Sequence, residues 1–200
     1  MAFEEKEIKD GVQSITASSS EVWRSWLELN HDKAKSVWLI IFKKDSGVAS
    51  LDYEEAVEES LCFGWIDSKP NKRDEKSYYQ FFAKRKEKSN WSRKNKETIQ
   101  RLIDQGKMHS SGLEMVKRAK EIGTWDALND VENLIVPKDL QAELDKYKNA
   151  IENWNNFPPS TRRGILEWIL NAKKPETREK RILETAEKAE RNIRANQFIR

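Results

Sequence analysis

The chain has 200 residues, 36% of them charged and 37% hydrophobic, with a net charge of +3, and this length fits a single domain over residues 1–200. Its one cysteine, Cys62, excludes an internal disulfide, and its longest apolar run, residues 37–42, is far shorter than the roughly 20 residues of a membrane span. Because the N-terminus is acidic and polar, unlike a signal peptide, we expect a cytoplasmic protein with no membrane insertion.

The first elements in chain order are a helix and a buried strand. Residues 1–18 are expected to form a flexible or peripheral N-terminus. Ser18, Ser19 and Ser20 can cap a helix that runs to about Asn30, because serine side chains accept hydrogen bonds from free backbone N–H groups. The apolar run 37–42 is too short for a typical helix and rich in β-branched and aromatic residues, which predicts a strand.

A second helix and a β-hairpin follow. Glu55 stands three residues after Asp52, which is the pattern of a capping box at a helix start. Two apolar segments, Trp65–Lys69 and Tyr78–Phe82, flank a turn-rich stretch, and this arrangement predicts a hairpin. With the preceding strand, the hairpin would make a small antiparallel sheet.

The rest of the chain is predicted to be helical, so the fold class is α+β, predominantly helical with at least six helices. The last helix carries an apolar stripe of Ile182, Ala186, Ala189 and Ile193, and it is predicted to pack on the domain. Helix starts or spans are predicted at Ser89, Asn90 or Ser92, at Ser111–Ile122, at Pro137, at Ser160–Asn171 and at Pro175.

No catalytic, cofactor or metal-binding signature is found in the sequence. Cys62 lies near a predicted helix C-terminus, which raises a thiol pKa, so we interpret it as a small buried residue. His31 and His109 have no partners at metal-ligand spacing, and we predict no metal and no cofactor. The glutamates of residues 54–59 are interpreted as a solvated acidic face.

Charge is distributed unevenly along the chain. Residues 1–67 carry 7 basic and 14 acidic side chains, residues 68–107 carry 13 and 5, and residues 108–200 carry 17 and 15, giving −7, +8 and +2. Residues 84–94 place six basic side chains and one acid around a predicted helix start, where free N–H groups attract anions. This stretch predicts a site for an anionic ligand or nucleic acid; the alternative is a solvated basic face whose aromatic neighbours point inward.

The predicted site joins the hairpin strand to this helix start. Three of its basic residues, Arg85, Lys88 and Lys94, would neutralise an anion, and either of its tryptophans would give a flat contact. Asp67 would orient a basic residue or accept a hydrogen bond from the ligand. The predicted site residues are Trp65, Asp67, Lys69, Arg85, Lys88, Ser89, Trp91, Ser92 and Lys94.

Three strings are the most specific part of a family resemblance: Cys-Phe-Gly-Trp-Ile-Asp at 62–67, Ser-Asn-Trp-Ser at 89–92, and Lys-Pro-Glu-Thr-Arg at 174–178. With shorter matches between about Trp23 and Ile182, they resemble the bacteriocin-protection, YdeI/OmpD-associated family. The resemblance implies tolerance of bacteriocins and cationic antimicrobial peptides in bacteria, without an established reaction. Relatives often carry prolines where this chain has Lys84 and Glu87, so its basic stretch is more charged.

The preferred interpretation is a cytoplasmic stress-tolerance protein that acts by binding, with an anionic ligand or nucleic acid as its partner. One alternative is an enzyme of unknown chemistry that uses Asp67 as a general base in a Trp-lined pocket. Another is a protein-interaction module that presents the acidic face of residues 54–59 to a basic partner.

Overall fold

A computed structural model of the protein describes residues 3–196, and the chain folds into two compact units. The first ends at Asp126 and the second begins at Ala127. The first holds the sheet and four helices, the second is helical, and the predicted α+β class is confirmed. The prediction of a single domain over residues 1–200 stays a prediction. The elements of the first unit are β1 (Glu4–Lys9), β2 (Val12–Thr16), α1 (Ser20–Asn30), β3 (Ser36–Phe42), α2 (Tyr53–Cys62), β4 (Trp65–Lys72), β5 (Ser77–Lys84), α3 (Arg93–Asp104) and α4 (Ser110–Glu121).

The sheet has the strand order β1-β2-β3-β5-β4. The predicted hairpin of β4 and β5 is antiparallel, and so is the pairing of β5 with β3. The prediction of an antiparallel sheet needs one correction, because β2 runs parallel to β3 after the crossover through α1. Within residues 1–18, which were expected to be flexible or peripheral, β1 is an exposed edge strand, whereas Ile15 of β2 is fully buried.

The continuous apolar run of β3 reflects burial on both faces of the sheet. Val37, Leu39 and Ile41 face the main core, which the sheet shares with the helices of the first unit. Trp38 and Ile40 alternate to the opposite face and form a small second cluster with Tyr79 of β5. Part of the N-terminal hairpin lies over this cluster, since the Trp38 indole donates to the carbonyl oxygen of Lys9 at 3.1 Å.

Side-chain caps fix where the helices of the first unit begin. The capping box at Asp52 and Glu55 is present, with the Asp52 N–H donating to Glu55 Oε2 at 2.9 Å. Of the three candidate caps before α3, it is Ser92 that accepts from the Asn95 N–H at 3.3 Å. His109 caps α4 by accepting from the Ser111 N–H, a role that the sequence did not reveal.

The second unit is built around its last helix. As predicted, this helix packs on its neighbours, and Ile182, Ala186 and Ala189 are buried. Ile193 lies beyond the end of the helix and is 44% exposed, so its assignment to the buried stripe was wrong. Pro137 stands one residue before its helix instead of at the first helical position. The helices are α5 (Asn129–Glu132), α6 (Lys138–Leu144), α7 (Ala150–Asn156), α8 (Pro159–Leu170) and α9 (Pro175–Glu190).

The start of α4 holds the turn that connects α2 to β4. The His109 N–H donates to the carbonyl oxygen of Cys62, and Ser111 Oγ donates to that of Phe63, both at 3.1 Å. Gly112 approaches so closely that a Cβ atom there would lie 2.1 Å from the Cys62 carbonyl oxygen. Only glycine allows this approach, because any side chain would have to displace the backbone of α4 or of the turn.

Substitution of Gly112 by alanine should therefore push α4 away from the turn. We expect Gly112→Ala to lower the free energy of unfolding by about 1–3 kcal/mol, as overpacking of a core does. The matched control is Gly164→Ala in α8, where a Cβ would meet nothing within 4 Å and helix propensity favours alanine by up to ~1 kcal/mol. Urea unfolding measures both, and equal midpoints for the two variants would contradict the close approach.

Candidate functional site

A cleft of about 180 Å³ lies between α2, β4 and α3, and we refer to it as the α2–β4–α3 cleft. It brings together Asp67 and Lys94, two of the residues that the sequence placed in one site. The Ser92 cap sets the start of α3, so that residues at helical spacing project into the cleft from one face of that helix. The lining residues are Tyr53, Glu54, Val57, Glu58, Asp67, Lys94, Asn95, Thr98 and Arg101.

Asp67 and Tyr53 form a short hydrogen bond in the cleft. The Tyr53 hydroxyl donates to Asp67 Oδ2 at 2.6 Å. Burial, and next the contact with Asp67, raise the pKa of Tyr53, so its hydroxyl keeps its proton at neutral pH. Among the described residues, no other donor reaches Asp67 and no cationic side chain lies at ion-pairing distance from it. Its second carboxylate oxygen, Oδ1, is therefore an acceptor without a protein donor.

Three of the four glutamates of α2 are paired with cations from neighbouring helices. Glu54 accepts from Lys94 at 3.0 Å and Glu58 from Arg101 at 2.6 Å, both across to α3. Glu59 pairs with Arg24 of α1 at 2.8 Å. The interpretation of residues 54–59 as a solvated acidic face was therefore incomplete, because these pairs neutralise most of its charge.

Arg85 is a buried cation close to the cleft. Its guanidinium stacks on the Trp91 ring, 3.7 Å from the ring centroid, and the residue is only 6% exposed. Nη2 donates to the carbonyl oxygen of Asn90, whereas Nε and Nη1 are buried without a hydrogen-bond partner. Burial lowers the pKa of Arg85 to about 10, and the negative charge of Asp67 opposes this shift. Arg85 is thus still charged at neutral pH.

The other predicted site residues do not line the cleft. Trp65 and Trp91 are each 1% exposed and pack against other tryptophans, so neither presents the expected flat ring face to a ligand. Lys69 and Lys88 are exposed on the surface, and Ser89 is half-buried in the loop before the Ser92 cap. The residues that sequence reasoning missed are Tyr53, Asn95, Thr98 and Arg101. Three of them share one face of α3 with Lys94, a spacing visible in the sequence.

The single thiol and the two histidines do not line the α2–β4–α3 cleft. Cys62 is fully buried, as predicted. Burial raises the pKa of its thiol to about 11, with a further contribution from Glu59. The ring centroids of His31 and His109 are 4.7 Å apart, a proximity that their positions in the sequence did not reveal. Within residues 3–196, no three His, Cys, Asp or Glu side chains gather in a way that could hold a metal ion.

Comparison with protein families divides the chain into two parts. Residues 15–115, half of the chain, match the model of a domain of unknown function (DUF8412), and the chain carries that domain. Residues 133–192 match the model of the family described as bacteriocin-protection, YdeI or OmpD-associated. The family resemblance predicted from the sequence is thus confirmed for this part of the chain, which is similar to the bacteriocin-protection, YdeI or OmpD-associated family. No curated protein and no solved structure matches the chain.

The match of residues 133–192 connects this part of the chain with bacteriocin protection at the level of the family. Of the three strings that carried the resemblance, only the one at 174–178 lies within the matched residues 133–192. The strings at 62–67 and 89–92 lie in the domain of unknown function, together with the α2–β4–α3 cleft. No helix in the described part of the chain is both long and apolar enough to cross a membrane.

The burial of Cys62 predicts slow chemical modification. We expect a thiol reagent at neutral pH to label the native protein far more slowly than the urea-unfolded protein, because the thiolate is the reactive form and burial disfavours it. Absorbance of the released thiol product measures both rates. Equal labelling rates in the native and unfolded states would contradict the burial.

The His109 cap predicts that acid weakens the fold. Burial, then repulsion from His31 and Arg24, lowers the pKa of His109, with Glu28 opposing. In the unfolded chain the histidine pKa is about 6.5, so at acidic pH the unfolded chain binds more protons than the native chain. The stability that neutral His109 contributes is therefore complete above about pH 6.5 and is lost as the pH falls through the lowered pKa. His109→Asn keeps a capping side chain but does not titrate, and it should flatten the decline in unfolding free energy between about pH 7 and pH 5. Parallel declines in the wild type and the variant would show that His109 does not carry the effect.

Proposed function

We propose that the protein acts by binding rather than by catalysis, and that its ligand is a small molecule with an anionic group, held in the α2–β4–α3 cleft. The observation that supports this most directly is the meeting of Asp67 and Lys94, from β4 and α3, in one cleft. In this proposal the protein acts in the cytoplasm and contributes to stress tolerance, in keeping with the bacteriocin protection of the family that residues 133–192 match.

The cation that receives the anion is Lys94, and releasing it from its present partner costs little. The side chains of Lys94 and Glu54 are 75% and 73% exposed. An ion pair so exposed contributes about 0–1 kcal/mol. An incoming anion can therefore replace Glu54 at Lys94 with a small penalty, and the positive charge of Arg85 adds to the attraction at longer range.

Binding is favoured over catalysis by the composition of the cleft. Asp67 Oδ1 is open, but a general base needs further groups that act on the substrate with it. The residues that line the cleft include no histidine, cysteine or serine that could act with it. The expected tryptophan lining is also missing there, since both predicted tryptophans are buried elsewhere.

The interaction-module alternative is disfavoured by the ion pairs on α2. A basic partner would have to compete with Lys94, Arg101 and Arg24 for the glutamates of that helix. Two of these pairs also connect α2 to α3, so a partner that took their place would loosen the wall of the cleft.

The proposal predicts saturable binding of inorganic phosphate at millimolar concentration, measured by titration calorimetry. Lys94→Ala should raise the dissociation constant by roughly tenfold, because a hydrogen bond to a charged group contributes about 1.5 kcal/mol or more. The matched control is Lys88→Ala, which removes an equal charge from the same basic stretch outside the cleft and should leave the constant nearly unchanged.

Two outcomes would overturn the proposal. The absence of saturable phosphate binding at millimolar concentration would leave residues 84–94 as a solvated basic face. Equal weakening by Lys88→Ala and Lys94→Ala, with tight binding of oligonucleotides, would point to a nucleic-acid surface. In that event the logarithm of affinity should fall linearly with the logarithm of salt concentration, by roughly 0.7–0.9 per neutralised phosphate.

A further inference from the structure

The charges of the α2–β4–α3 cleft do not balance. Its lining residues include three carboxylates but only two cations. Glu54 and Glu58 are each paired with one of those cations, so the unmatched group is Asp67. Arg85 offsets part of this charge from a buried position, yet among the described residues no hydrogen bond or ion pair joins the two side chains.

Asp67 also keeps an unused acceptor in the cleft. Tyr53 donates to Oδ2 only, and no described residue donates to Oδ1. A carboxylate with one oxygen held by a neutral donor and the other open is an acceptor in a fixed orientation. Its natural partner is a group that carries both a positive charge and N–H donors.

A purely anionic ligand therefore fits the cleft only in part. Its acidic group would gain Lys94 but would stand near Asp67, a carboxylate of the same sign whose charge is only partly offset. A ligand that carries an ammonium group beside its acidic group avoids this repulsion and satisfies both side chains. A cleft of about 180 Å³ lies below the roughly 300–1,000 Å³ of typical small-molecule pockets, so such a ligand must be small.

We infer that the ligand is a small zwitterion, whose acidic group pairs with Lys94 and whose ammonium group donates to Asp67 Oδ1. This inference rests on the proposed function and specifies its ligand class. Tyr53 is then a positioning residue, because its hydroxyl holds one carboxylate oxygen and leaves the other for the ligand.

Three phosphate monoesters of similar size test the inference by titration calorimetry. Phosphoethanolamine carries a phosphate and an ammonium group, phosphocholine carries the same positive charge without N–H donors, and propyl phosphate carries no positive charge. We expect phosphoethanolamine to bind about tenfold more tightly than propyl phosphate, which corresponds to about 1.4 kcal/mol. Phosphocholine should fall between the two, because it keeps the charge attraction but cannot donate a hydrogen bond.

Asp67→Asn should abolish the preference for phosphoethanolamine, since it removes the negative charge while keeping the shape of the side chain. Tyr53→Phe is a second variant, which keeps the aromatic ring and should reduce the preference by releasing the carboxylate. Lys69→Ala, on the same strand but outside the cleft, is the control and should leave the preference unchanged. Urea unfolding of each variant confirms that the fold is intact.

The outcomes separate this inference from the proposed function. If propyl phosphate binds as tightly as phosphoethanolamine, and Lys94→Ala weakens the binding of both, the inference of a zwitterionic ligand is wrong, whereas the proposed anion site is supported. If none of the three esters binds, the anion site itself is wrong. If the preference survives both Asp67→Asn and Tyr53→Phe, the ammonium group is recognised elsewhere and the inference fails.

Discussion

The close approach of α4 to the turn after α2 determines where two walls of the cleft lie. Gly112 has no side chain to separate the helix from the Cys62 carbonyl, and His109 and Ser111 hold the same turn by hydrogen bonds. Because α2 ends at this turn and β4 begins after it, the turn sets the position of Asp67 relative to Tyr53. A shift of α4 should therefore change the geometry of the Tyr53–Asp67 hydrogen bond.

Part of the charge asymmetry of the sequence is balanced by ion pairs inside the first unit. The acidic residues 1–67 and the basic residues 68–107 meet where α3 packs beside α2, in the pairs Glu54–Lys94 and Glu58–Arg101. In and beside the cleft, this pairing leaves one open carboxylate, Asp67, and one buried guanidinium, Arg85. The concentration of positive charge in the sequence thus indicated a charged site, but part of that charge holds two helices together.

Local signals in the sequence predicted most elements of the fold and part of the site. Some features depend only on residues that are neighbours in the sequence, so the sequence alone was sufficient to predict them. They are the capping box at Asp52, the Ser92 cap and the apolar run of β3. β1 was missed because its polar residues lie at an exposed edge and show no apolar alternation. The predicted site placed Trp65, Arg85 and Trp91 at a ligand, and the burial of Trp91 was only the alternative interpretation, because burial depends on which elements pack over a residue and is a tertiary property.

The two family matches lie in different units of the chain. The residues that match the bacteriocin-protection family, 133–192, lie within the second unit, whereas the cleft lies within the unit that carries the domain of unknown function. A variant of Lys94 or Asp67 therefore changes the proposed site without altering any residue of the family match. If such a variant lost ligand binding but kept bacteriocin protection, the second unit would have to supply the protection. If both were lost together, the cleft would be the site through which the family function acts in this chain.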